Sequence, residues 1–460
     1  MPSDVFSPKE RLARKLRGEG AERAPVICPG GMMNAAVVEV MERTGHTLPE
    51  GHSDAGIMAA LARGVSRLTG FENYGVPFCM TVEAEALGSE IDLGSLNCEP
   101  KIARERYASV AGASVAPPGG EPPDSALSGS VLSGSALPGM GRPEARESGA
   151  ALSGAGLSGA ERPGARLPGS VLPGMGRPEA RESGAALSGA GLYGAGRPGA
   201  RLSSVGRPGV GLSGSDWPEM VRPGAVLSGA VLPEMVRPGA APPGARIGVV
   251  ASAVRQLAGG DIPVIGSVTG PVSTSASLVD PMTFLKELRK DRENAHRLLS
   301  AVTEWLIAYA LALCEAGADA ISIADPTATG EILGPRLFEE YALPYIGRLA
   351  AAIRRTGTPA IIHICGQIAP VRQHVARLGG NAVSTDAMVS LRALKNEYGH
   401  LTTMGNLSTI MLERGDPAGI ARGAEALLRD GIDILAPACG LGTATPLANI
   451  EAFTARAKEG

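Results

Sequence analysis

Apolar positions along the chain alternate between short runs rich in Val, Ile and Ala and longer stretches with helical spacing. Runs of the first kind predict strands at Ala24–Cys28, Tyr74–Met80, Pro263–Val268, Ala318–Ala324, Pro359–Ile364, Ala382–Thr385, Leu401–Met404 and Ile432–Ala436. Between them the three-and-four spacing predicts helices. These cover Ala35–Arg43, Gly56–Thr69, Ile247–Ala258, Pro281–Arg289, Arg292–Ala316, Pro335–Thr356, Ile368–Leu378, Leu391–Asn396, Pro417–Arg429 and Leu447–Lys458. Eight strands interleaved with helices through short connections favour a (β/α)8 TIM barrel over an open doubly wound sheet. The turn after the first strand, CPGGMMN, is also not the glycine fingerprint of a dinucleotide-binding sheet.

The pattern breaks between 112 and 245. Gly and Pro make up 47 of those 134 residues, and the segment contains no Lys, His, Cys, Asn, Gln, Thr, Ile or Phe. Residues 137–157 recur identically at 172–192, a period of 35. Proline or glycine interrupts every potential helix within two turns, so a helical solenoid is excluded. Missing β-branched and aromatic runs exclude strands. Glycine does not recur every third residue, which excludes a collagen-like helix. The composition predicts a disordered insert dividing one domain into 1–111 and 246–460.

A net charge of −3 and a pI near 6.2 argue against nucleic acid as a partner. No apolar run of membrane length is apparent and the polar N-terminus has no signal-peptide core, so the expected place is the cytoplasm. Six scattered cysteines do not form a disulfide framework.

The chemistry gathers where the strands end, which in a barrel is where the active site lies. Asp325, the pair His363/Cys365, Asp386, Asn406 and Cys439 all follow apolar strands or stand at their ends. Residues two apart on a strand share a face, so His363 and Cys365 point inward together. Cys439, at the last strand end, adds a third ligand. One imidazole and two thiolates suit Zn2+ with a fourth position left open for catalysis. Asp325 and Asp386 read either as groups that orient substrate or a ligand imidazole, or as helix N-caps. Asn406 reads as a contact for substrate. Glu83 and Glu85 read as a solvated loop or helix start. His46, His52, His296, His374 and His400 read as mostly surface residues, and Cys314 as core.

With CPGGMMN, GVPFCMTVEAEALG, GSVTGPVSTSASLVDP, HICG, MGN and PACG in this order, the chain resembles the methylcobamide:coenzyme M methyltransferases of the uroporphyrinogen decarboxylase superfamily. The resemblance covers about 10–110 and 246–460. It implies a TIM barrel with zinc on His363, Cys365 and Cys439. It also implies methyl transfer between a thiol such as coenzyme M and methylcobalamin. The corrinoid would arrive on a partner protein, since the chain has no D-x-H-x-x-G segment. Two alternatives stay open. Uroporphyrinogen decarboxylation needs an Arg-rich motif after the first strand, where this chain reads CPGGMMN, and an Asp where it has Cys79. The other is transfer from a methylated substrate onto the corrinoid protein.

Overall fold

The computed structural model describes residues 4–115 and 246–459, so the insert expected at 112–245 lies, beyond its first four residues, outside the described residues. The strands are β1 (Tyr74–Val76), β2 (Glu90–Asp92), β3 (Lys101–Arg104), β4 (Val264–Thr269), β5 (Ala320–Ala324), β6 (Ala360–Ile364), β7 (Ala382–Thr385), β8 (Thr403–Leu407) and β9 (Ile434–Pro437). Seven of them form one parallel sheet in the order β1-β4-β5-β6-β7-β8-β9, and β2 and β3 pair as a separate antiparallel hairpin.

The predicted first strand, Ala24–Cys28, closes the ring. Val26 bridges Leu435 in parallel, with Ile27 N donating to Leu435 O at 3.0 Å and Leu435 N to Pro25 O at 2.9 Å. On its other side Glu72 N donates to Val26 O at 2.9 Å, and the Asn73 amide bonds both the N–H and the C=O of Cys28. Eight parallel staves therefore make the expected (β/α)8 barrel.

Strand periodicity splits the core in two. One face of the staves packs Val264, Ile321, Ile323, Ile362, Val383 and Leu435 against the surrounding helices. The other turns Ile27, Ile265, Ala320, Ile361, Ala382, Met404 and Ile434 into the barrel. Helix Pro8–Leu16 closes the bottom by adding Leu12 and Leu16 to that inner layer. On five of the strands, β4 to β8, the inner layer turns polar two residues further along, with Ser267, Ser322, His363, Ser384 and Asn406 all buried.

Several elements depart from the sequence pattern. Pro8–Leu16 has a readable signal in Ser7-Pro8-Lys9-Glu10, where Ser7 Oγ accepts from Glu10 N. The expected helix Pro335–Thr356 is divided into Gly334–Leu337, a π-turn at Phe338–Ala342 and Leu343–Arg355. Pro344 has no N–H to continue the regular ladder there. The expected helix Ile368–Leu378 contracts to Ala369–Val371 and Arg372–Val375. Helix Arg292–Glu315 corrects the expectation about apolar runs, since it is long and apolar enough to cross a membrane by length and composition. Val302, Leu306, Tyr309 and Leu313 on it are buried in the main core.

Candidate metal centre

Barrel closure brings His363, Cys365 and Cys439 together. β6 carries the first, the second follows it directly, and Cys439 stands two residues past β9, three strands away in the sheet. One donor atom from each lies within 4.8 Å of the other two, and the two sulfurs are 3.2 Å apart. His363 is fully buried; Ser384 Oγ lies 2.9 Å from its Nδ1, and its Nε2 has no partner. A buried ring nitrogen without a partner is costly unless something binds it. The Cys439 thiol is pulled down to about 4, chiefly by its contact with Cys365 and further by the neighbouring His363, against burial. That thiolate in turn pushes the Cys365 thiol up. An orphaned imidazole beside one thiolate and one thiol is a donor set that fits a borderline-soft cation.

The other residues singled out in the sequence surround this group unequally. Asp386 Oδ2 is 3.8 Å from Cys365 Sγ and accepts from Gly366 N at 3.4 Å. It is not a helix cap, because Ser390 caps helix Leu391–Glu397. Asn406 Nδ2 donates to Asp386 O and Val389 O, both at 2.8 Å, and so fixes the loop that carries Asp386. Asp325 faces elsewhere. Its buried carboxylate accepts from Val272 N (3.0 Å), Ser273 N (2.8 Å) and Ser273 Oγ (2.6 Å) at the start of helix Pro271–Leu278. It caps the helix of the preceding unit, a role that local sequence cannot show. Burial pushes its carboxyl up to about 6.

Three readings are corrected. Glu83 is buried rather than solvated, and accepts from Thr269 N at 2.8 Å and Thr269 Oγ1 at 3.0 Å. Its neighbour Glu85 accepts from Arg246 Nε at 2.6 Å, and Arg246 also reaches Cys79 Sγ and Thr81 Oγ1. These partners are more than 160 residues away in sequence, out of reach of any local pattern. His52 and His374 are buried rather than on the surface. Cys314 is half-buried at the edge of the core.

Sequence reasoning also missed Glu99, in the loop joining β2 and β3. Burial, reinforced by the Cys439 thiolate, pushes its carboxyl up against a hydrogen bond to Asn34. Nothing in residues 90–104 marks them as a hairpin that reaches the barrel mouth.

The uroporphyrinogen decarboxylase (URO-D) family model matches residues 7–120 and 230–460. The chain belongs to the uroporphyrinogen decarboxylase family. Within that family it is 25% identical to methylcobamide:CoM methyltransferase MtbA of Methanosarcina acetivorans over 457 residues, 98% of each chain. It is likewise 25% identical to methylcobamide:CoM methyltransferase MtaA of Methanosarcina barkeri, over 99% of this chain and 98% of the relative. Similarity to a uroporphyrinogen decarboxylase of Anaeromyxobacter dehalogenans reaches 31% but spans only 38% of this chain. Among solved structures, a methyltransferase from Methanosarcina mazei superposes with a TM-score of 0.67 at 24% identity, covering 99% of both chains. That likeness establishes the shared barrel fold.

Proposed function

We propose that this family member is a methyltransferase that moves a methyl group between a corrinoid and a small thiol, with zinc held by His363, Cys365 and Cys439. The observation that carries the reading is the buried, unpartnered His363 Nε2 facing two sulfurs 3.2 Å apart at the barrel mouth. Near-full-length similarity to two methylcobamide:CoM methyltransferases supports the reaction class.

When bound, zinc supplies a Lewis-acid site that keeps an incoming thiol deprotonated at neutral pH, where a free thiol is mostly protonated. The protein's residues prepare that site. Ser384 holds the ring through Nδ1, which leaves the Nε2 lone pair for the cation. Two cysteines offset the metal charge, and Asn406 fixes the Asp386 loop beside Cys365. The thiolate sulfur attacks the methyl carbon; the cobalt–carbon bond breaks and its electron pair stays on cobalt, so methylcob(III)alamin becomes cob(I)alamin. The corrinoid is a substrate brought by a partner protein. The loop at 29–37, PGGMMNAAV, has no Arg to hold the carboxylates of a porphyrinogen, which speaks against decarboxylation. A cytoplasmic setting suits six cysteines that are all free thiols.

The test combines metal analysis of the purified chain with an assay of methylcobalamin and a panel of thiols, followed by cobalamin absorbance. One equivalent of zinc and thiol-dependent demethylation are expected, and both fail in a folded Cys439→Ser variant. Running the assay from methylated thioethers and cob(I)alamin tells loading from unloading. Protein free of metal that turns over uroporphyrinogen would overturn the reading.

A further inference from the structure

The turn CPGGMMN, residues 28–34, joins the first stave to helix Val38–Thr44 and is built onto the metal centre. Its backbone is tightly held. Met33 N donates to Gly30 O at 3.0 Å, and Gly30 N donates to Met33 O at 2.7 Å. The buried Cys28 thiol donates to the same Met33 O at 3.1 Å, and Gly31 N donates to Pro77 O at 2.7 Å. Gly31 has a φ of 61°, and a Cβ on it would stand 2.7 Å from Ser267 Cβ, so only glycine fits there. Held in this way, the Met33 side chain enters the inner layer of the barrel and is only 1% exposed. There its sulfur lies 3.9 Å from Ser384 Oγ, the hydroxyl whose other partner is His363 Nδ1 at 2.9 Å. The carbonyl of Met32 lies against Gly440, the residue after Cys439, and leaves no room for a Cβ on it. One turn therefore touches the supports of two of the three donors.

From this arrangement we infer that Met33 is a positioning residue for the metal, acting through Ser384 on the tautomer of His363. The inference rests on the metal-site reading and deepens it. A serine hydroxyl has one proton to give. Given to Nδ1, it leaves the ring's own proton on Nε2, which then has no lone pair for a cation. Among the described residues, Ser384 Oγ has one other hydrogen-bond partner, the Met33 sulfur. With the proton turned to that sulfur, Oγ accepts from Nδ1–H and the Nε2 lone pair is free to bind. Metal binding at His363 therefore draws on an acceptor at position 33. A thioether is a weak acceptor, but Ser384 is fully buried, and without the sulfur its proton has no partner. Leucine fills nearly the same volume and accepts nothing.

The experiment measures zinc affinity of the full chain by chelator competition in wild type, Met33→Leu, Ser384→Ala and the double variant. Met33→Leu is expected to weaken binding about fivefold, the net worth of one hydrogen bond, with the unfolding midpoint of the metal-free protein held within a few degrees. In the Ser384→Ala background the same change should cost nothing, because the hydroxyl that the sulfur serves is gone. At saturating zinc, Met33→Leu should recover thiol-dependent demethylation of methylcobalamin, which a packing defect would not allow. Norleucine incorporated in place of methionine keeps the shape and removes the acceptor, and it gives the same reading where Met33→Leu does not fold. Unchanged affinity without the sulfur overturns the inference and leaves metal binding and methyl transfer intact. An equal loss with and without the Ser384 hydroxyl does the same. Zinc binding that follows the expected cycle in a chain that demethylates nothing would instead overturn the methyl-transfer reading and leave the role of Met33 standing. Wild-type protein that takes up no zinc overturns both.

Discussion

Ser384 and His363 face each other on adjacent strands, with Oγ 2.9 Å from Nδ1, and the same hydroxyl donates to Met33 Sδ at 3.9 Å. With its proton directed at the thioether, the serine oxygen accepts from Nδ1–H. The imidazole is thereby held as the tautomer whose Nε2 lone pair is free. A residue that orients a ligand imidazole typically controls metal affinity by 10–100-fold. Ser384→Ala is therefore expected to lower zinc affinity by about that factor with all three donors intact, as measured by chelator competition. Unchanged affinity would show that Ser384 only fills space.

His52 provides a pH test away from the chemistry. Burial, helped by the charge of Arg246, pushes its imidazole down from 6.5 to about 4, and neither ring nitrogen has a partner. Between those values the unfolded chain takes up a proton that the native state refuses. Stability is therefore full above pH 6.5 and falls as pH drops toward 4, by about 3 kcal/mol. His52→Leu should flatten urea-denaturation stability across this window. Asp325 acts with the opposite sign. Its carboxyl is raised from 3.8 to about 6, so its contribution is lost as pH rises through that range.

Arg11 is fully buried below the barrel, where its guanidinium binds Glu72 and Glu22, each at 2.7 Å. Glu72 also takes Arg23 and accepts from Val26 N on the first stave. Arg11→Met leaves a buried carboxylate short of a partner, at a cost of about 3–5 kcal/mol. Thermal unfolding is expected to shift down accordingly while zinc content of the folded fraction holds, because the triad is at the other end of the strands. Loss of metal at unchanged stability would contradict this.

Every stave, the bottom-closing helix and the triad lie within 4–115 and 246–459. The family match also leaves out 121–229. Replacing residues 121–229 by a short Gly/Ser linker should keep the unfolding midpoint within a few degrees and preserve zinc binding. Insoluble protein would show that the barrel depends on the segment.

Ser66 and Thr454 mark a limit of local reading. Each is buried, and each bonds a backbone carbonyl, Phe71 O at 2.7 Å and Thr69 O at 2.5 Å. Thr454 does so across 385 positions of sequence, so its burial gives no local signal.

By itself the sequence determined the eight staves, because buried parallel strands read as apolar runs and their connecting helices as amphipathic periods. It also determined that His363 and Cys365 share a face, since that follows from a period of two. Tertiary structure decided the rest. Whether Cys439 meets that pair depends on ring closure through Val26 and Leu435, a contact between chain ends more than 400 residues apart. Closure likewise gave Asp325 to a neighbouring helix, buried Glu83 against Thr269, and brought Glu99 and Glu331 to the mouth. Periodicity records which way a side chain faces, and only the closed barrel fixes what it meets there.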